Sequence, residues 1–117
     1  MSQPTFVPIE SRDGFDALLE SSSLGLRLLF LHDWTCPISA RAEDEVLQLS
    51  GTVHTVDVTT QQDLNRYVAE RTGVRHESPQ FFILCDGASV YDASHGRIRA
   101  DVIASLIEEL QGSPRPA

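Results

Sequence analysis

The feature that most constrains the fold of this 117-residue chain is Leu26-Arg27-Leu28-Leu29-Phe30-Leu31, an apolar run interrupted by one arginine. A strand with one wet face would show a polar residue at every second position, so a run broken only by Arg27 fits a strand covered on both faces. The run passes into a polar turn, His32-Asp33-Trp34-Thr35, and then into Cys36-Pro37. Proline suits the first position of a helix, where a missing N–H costs nothing, which places Thr35 or Cys36 at the cap. Ile38, Ala42, Val46 and Leu49 then recur at helical spacing, and Gly51 stops that helix.

The other elements follow by the same reasoning. Phe6 to Ile9 reads as a short edge strand, the only place where Pro8 is tolerated in a sheet. Ser11-Arg12-Asp13-Gly14 supplies cap chemistry for a helix with Phe15, Leu18 and Leu19 on one face. Val53 to Val58 alternates like a strand, and Asp63 to Thr72 reads as a helix ending at Gly73. After a loop from Val74 to Pro79, Gln80 to Leu84 is a second buried strand, and Asp86-Gly87 turns it into a hairpin with Ser89 to Ala93. Arg99 to Leu110 closes the chain as an amphipathic helix. The order (β)αβαβαββα implies an α/β protein of thioredoxin-like fold, with a central mixed sheet flanked by helices on both faces. Residues 1–111 are expected to form a single domain, and residues 112–117, rich in proline and small residues, a flexible tail.

Charge and cysteine usage narrow the function classes. The formal net charge is −8 and the basic residues are scattered along the sequence, so neither nucleic acid nor a membrane surface is expected as a partner. No stretch is long enough to span a membrane, and Met1-Ser2-Gln3-Pro4 lacks the basic and apolar regions of an export signal. A cytoplasmic location is therefore expected, with Cys36 and Cys85 reduced.

Cys36 carries the chemistry. It lies between a buried strand and a helix, where unpaired N–H groups and the helix dipole favour an anion, and the thiolate is the form of cysteine that attacks disulfides. Read as a mere core residue, Cys36 would not sit in a polar turn. Cys36-Pro37-Ile38-Ser39 is a C-x-x-C pattern with serine in the second place, so the chain cannot resolve its own mixed disulfide and a second thiol must act. Asp33 opposes ionisation of a thiol three residues away. In a thioredoxin layout Pro79 precedes a strand beside the thiol, and Ser78-Pro79 is expected to be cis, leaving a backbone edge open to substrate. Cys85 lies six positions beyond Pro79, about 20 Å along an extended strand, too far to bridge to Cys36, and reads as a core residue. Of the histidines, each most simply a solvated polar group, His32 ends the strand below Cys36, His76 lies on the proline loop and His95 begins the turn after the last strand. No recognised metal-ligand spacing links them to Cys36. The acids Glu43, Asp44, Glu45, Glu108 and Glu109 read as helix surface.

Thr35-Cys36-Pro37-Ile38-Ser39-Ala40, Glu70-Arg71-Thr72-Gly73-Val74, His76-Glu77-Ser78-Pro79-Gln80 and Ala93-Ser94-His95 together resemble the YtxJ-type monothiol bacilliredoxin family, in order from about Leu28 to Leu110. The resemblance implies a cytoplasmic, glutaredoxin-like thiol–disulfide oxidoreductase of redox homeostasis that removes bacillithiol from protein mixed disulfides. It implies Cys36 as the active cysteine, with Ser39 where dithiol relatives have a second one. Thr35, Ser39 and His32 are then expected to support the thiolate, and Trp34, Pro37, His76, Ser78, Pro79 and His95 to contact substrate. Bacillithiol is expected as co-substrate, with no bound cofactor and no metal; the expected partners are bacillithiolated client proteins and a disulfide reductase. Asp33-Trp34 before Thr35 and Gly96-Arg97 after His95 depart from the family pattern, both at the rim of the expected pocket. Two other readings are an iron–sulfur cluster carrier of monothiol glutaredoxin type and a non-catalytic adaptor on the same scaffold.

Overall fold

The computed structural model describes residues 3–112. The chain forms β1 (Thr5–Pro8), α1 (Arg12–Ser21), β2 (Arg27–His32), α2 (Pro37–Val46), β3 (Thr52–Asp57), α3 (Gln62–Thr72), β4 (Gln80–Cys85), β5 (Ala88–Ser94), a 3-10 turn (His95–Arg97) and α4 (Ala100–Gly112). The five strands lie in the order β1-β3-β2-β4-β5. The pairs β1–β3 and β2–β3 are parallel, and the pairs β2–β4 and β4–β5 are antiparallel.

The unbroken apolar runs are explained by burial on both faces. Leu28 and Phe30 of β2, with Phe81 and Ile83 of β4, pack against Ala42 and Val46 of α2 and Ile103 of α4. The alternate residues Leu29, Leu31, Phe82 and Leu84 face Phe15, Leu18 and Leu19 of α1 and Leu64 and Val68 of α3. Because strand side chains alternate faces, Leu28–Leu31 of β2 and Phe81–Leu84 of β4 are apolar at every position, and each layer of helices covers one set.

Local chemistry sets the ends of the elements. The Ser11 hydroxyl accepts from the Gly14 N–H at 3.0 Å and caps α1. Gly73, at φ 72°, ends α3 in the left-handed conformation. Asp86 and Gly87 both have positive φ, as a tight hairpin turn between right-twisted strands requires. Helix α2 is shorter than the hydrophobic spacing predicts: it ends at Val46, and the chain tightens through Gln48 N–H to Glu45 C=O (3.1 Å) and Leu49 N–H to Val46 C=O (3.0 Å). These i→i+3 bonds still deliver Leu49 to the core, which is why its periodicity looked helical. Gly112, expected to open the tail, is the last residue of α4; the remainder of that tail, residues 113–117, lies outside the described residues.

Candidate functional site

The site forms at the carboxyl end of β2. Cys36 is the N-cap of α2, in extended conformation with Pro37 in the first turn, and its thiol is half-buried. The turn that presents it is held by Asp33, whose carboxylate accepts from the Thr35 N–H (2.9 Å) and the Thr35 hydroxyl (2.7 Å). The Cys36 N–H donates to the Asp33 carbonyl at 3.2 Å. The two bonds from Thr35 keep the Asp33 carboxyl below its ordinary pKa, so Asp33 is a fixed negative charge in the turn. They also engage the single hydroxyl proton of Thr35, which therefore points to Asp33. Asp57 and Thr59 repeat the arrangement after β3, with the Thr59 N–H and hydroxyl bonded to Asp57 at 2.9 and 2.6 Å. Aspartate two residues before threonine is thus a turn device used twice, and the repeat is visible in the sequence as Asp33-Trp34-Thr35 and Asp57-Val58-Thr59.

Beneath the turn lies His32. Strand alternation puts it on the Phe30 face, which α2 covers, and it is 1% exposed. Its ring stacks on Phe30 at 4.6 Å and meets the edge of Trp34 at 4.4 Å. Nδ1 has no hydrogen-bond partner among the described residues, and Nε2 lies 3.8 Å from Glu43 Oε1. Burial lowers the His32 pKa, opposed by the carboxylates of Glu43, Asp33 and Asp57, so the ring is neutral near pH 7. Glu43 is therefore not the plain surface residue expected. It is half-buried, and with Ser39, Ala42 and Val46 it occupies the inward stripe of α2. Ser39 is 2% exposed, one turn into the helix below Cys36.

The second wall is the segment before β4. Leu31 pairs with Gln80, so Pro79 lies at the same end of the sheet as the His32–Cys36 turn. The Ser78–Pro79 peptide is cis, as expected. Gln80, 1% exposed, clamps the segment: its amide donates to the Arg75 carbonyl at 3.0 Å and its oxygen accepts from the Glu77 N–H at 3.1 Å. The His95 N–H donates to the Pro79 carbonyl at 3.1 Å, and His95 Nε2 lies 3.4 Å from Glu77 Oε2.

Most of the predicted site residues fall into two groups. Thr35, Cys36, Pro37, Ser39 and His32 form one unit at the head of α2, and Ser78, Pro79 and His95 form a second joined by backbone bonds. Trp34 is 43% exposed and leans edge-on to Phe6 of β1 at 5.6 Å, on the side of β2 away from β4 and His95. His76 is exposed on the loop. Cys85 ends β4 at the opposite end of the sheet, its thiol 3.7 Å from Asp86 Oδ2, and neither cysteine is in a disulfide. No group of three or more His, Cys, Asp or Glu side chains among the described residues is arranged to hold a metal ion.

A half-buried cysteine at a helix start, with a cis proline before an antiparallel strand at the same end of the sheet, defines a thioredoxin-fold oxidoreductase. Solved structures agree. A candidate oxidoreductase with a thioredoxin fold shares 31% identity at a TM-score of 0.76, over 86% of this chain and 92% of the other. A mutant thioredoxin from Halobacterium salinarum matches at 21% identity and a TM-score of 0.69, over 99% of both chains. Thioredoxin O2 from Arabidopsis thaliana matches at 18% identity and 0.67, over 91% of this chain and 94% of the other. Within this class, residues 7–103 match the profile of monothiol bacilliredoxin BrxC, and the chain belongs to that family.

Proposed function

We propose that the protein removes bacillithiol from protein mixed disulfides through Cys36. The Cys36 thiolate attacks the bacillithiol sulfur of a client–bacillithiol disulfide. A Cys36–bacillithiol disulfide forms, the client–bacillithiol bond breaks, and the client leaves as a thiolate that takes a proton from water. Ser39 has no sulfur with which to attack this adduct. A second bacillithiol thiolate, or the thiolate of a reductase, therefore attacks the bound bacillithiol sulfur and releases Cys36 as thiolate, leaving a disulfide outside the protein.

The observation that carries this reading is Cys36 as the N-cap of α2 with a buried serine in place of a second cysteine, in a chain of the monothiol bacilliredoxin family. The helix start favours the attacking anion, and the Asp33–Thr35 turn fixes its direction of approach. Ser39 and His32 lie where they can adjust the thiol's surroundings from below. The Pro79 segment offers backbone groups to the bound disulfide, with Pro37 and His95 at its edge and His76 and Trp34 on the outer rim. The test is turnover of a bacillithiolated protein. Cys36→Ser is expected to abolish it and Cys85→Ser to leave it intact; turnover undiminished by Cys36→Ser contradicts the proposal.

A further inference from the structure

Negative charge gathers on one side of the Cys36 turn. Cys36 follows β2, and in the strand order β1-β3-β2-β4-β5 the Pro79 segment lies on its β4 side. On the other side a hollow of about 290 Å³ opens at the ends of β1 and β3, with Pro8, Glu10, Trp34, Thr55 and Asp57 among its walls. Trp34 is the wall nearest the thiol in the chain. It stands two residues before Cys36, so the two Cα atoms are at most about 7 Å apart. Its ring meets those of Phe6 at 5.6 Å and His32 at 4.4 Å, both edge-on, and these contacts hold an exposed indole in place.

The hollow has carboxylates and no described basic side chain on its walls. Asp57 lies close enough to Asp33 to repel it across the ends of β2 and β3. The Thr35 hydroxyl bond to Asp33 (2.7 Å) and the Thr59 hydroxyl bond to Asp57 (2.6 Å) still keep both acids below their ordinary pKa, so no proton relieves the repulsion near pH 7. Glu10 adds a third carboxylate, exposed and with no hydrogen-bond or ion-pair partner among the described residues. Uncompensated carboxylates beside an exposed tryptophan are complementary to an ammonium or guanidinium group, by charge and by cation–π attraction. The volume suits one long side chain and not a folded element.

The chemistry of a client supplies such a group. A cysteine that exchanges readily with small disulfides is one held as thiolate, and Lys and Arg are among the neighbours that lower a thiol pKa. We propose that the Trp34 hollow is a docking point for a lysine or arginine of the client polypeptide that stands beside its modified cysteine, with Glu10, Asp57 and Trp34 taking the cation while the disulfide meets Cys36. The role rests on the redox reading of Cys36. It makes the protein selective among clients by the charge next to their cysteine.

The test uses two model peptides that differ in one residue, Lys or Gln, two positions after a single cysteine. Each is disulfide-bonded to 2-mercaptoethanol, so charge varies only in the peptide. The Cys36 thiolate displaces one thiolate from that disulfide, and loss of the unmodified Cys85→Ser protein is followed by intact mass. The Lys peptide is expected to react about fivefold faster at low salt, with the advantage shrinking as salt is added. Glu10→Lys should bring the ratio of rates to one or below. Glu108→Lys makes the same change in net charge near the end of α4 that adjoins Cys85, and should leave the ratio at the parent value. A parent ratio near one, an unchanged ratio in Glu10→Lys, or an equal fall in Glu108→Lys overturns the docking point while leaving Cys36 chemistry standing. Reaction of Cys36 with neither peptide overturns the redox reading and the docking point with it.

Discussion

Replacing Gln80 with methionine isolates the device that holds the substrate-side wall. The two side chains have similar length, so the exchange keeps the packing of a 1%-exposed position and deletes only polar groups. Two hydrogen bonds disappear, to the Arg75 carbonyl (3.0 Å) and from the Glu77 N–H (3.1 Å). Each is worth about 0.5–1.5 kcal/mol net, and more where the orphaned partner stays shielded from water. Greater apolar burial returns part of this, so the expected loss is about 2 kcal/mol, or a Tm lower by about 8–10 °C for a chain of this size. Urea unfolding gives the free energy, and amide hydrogen exchange at Glu77 reports whether the loop has been released. Gln80→Glu is the companion variant: its oxygen still accepts from Glu77, but the second oxygen faces the Arg75 carbonyl. That variant should gain stability on mild acidification, as the carboxyl becomes a donor. A methionine variant within about 0.5 kcal/mol of the parent, with Glu77 still protected, would refute the clamp.

Further outcomes follow from the buried charges and the backbone. Glu43→Gln removes a carboxylate that raises the His32 pKa, so the His32 imidazole should titrate at still lower pH in ring-nitrogen NMR spectra; an upward movement contradicts the pairing. Burial lowers the pKa of both His32 and His54, with Arg27 adding to the effect at His54. The unfolded chain therefore binds more protons than the folded one below about pH 6.5, and stability should fall from there as the solution is acidified, in urea titrations at stepped pH. A stability that rises as the pH is taken from about 6.5 to about 5 would show that these rings gain protons on folding. Gly73→Ala meets no atom within 4 Å but must hold φ 72°, so it should cost about 1 kcal/mol by chain strain alone. A neutral result in the unfolding midpoint would place the end of α3 elsewhere.

The fold was legible wherever one residue type at one place admits few alternatives. The apolar runs of β2 and β4, Ser11 before α1, Pro37 at the start of α2, and Asp86-Gly87 between strands each carry their own mechanism. Together they specify the element order. Glu43 was misplaced because charge usually marks the outer face of a helix, although its spacing from Ser39, Ala42 and Val46 puts it on the inner one. Gln80 gave no local sign of its role, since a glutamine opening a strand is ordinary until its two backbone partners are seen. The tightened turn after Val46 keeps helical spacing without helical bonding, so periodicity alone overruns the end of α2.

On the proposed route one sulfur, Cys36, accepts bacillithiol from a client and holds it until a second thiol arrives. Its most direct test is peptide mapping by mass spectrometry after mixing the protein with one equivalent of a bacillithiolated client, with no free thiol present. The expected result is one bacillithiol on Cys36, none on Cys85, and an equal amount of reduced client, with the adduct disappearing when bacillithiol is added. A client left fully modified, or bacillithiol recovered on Cys85 alone, would contradict it.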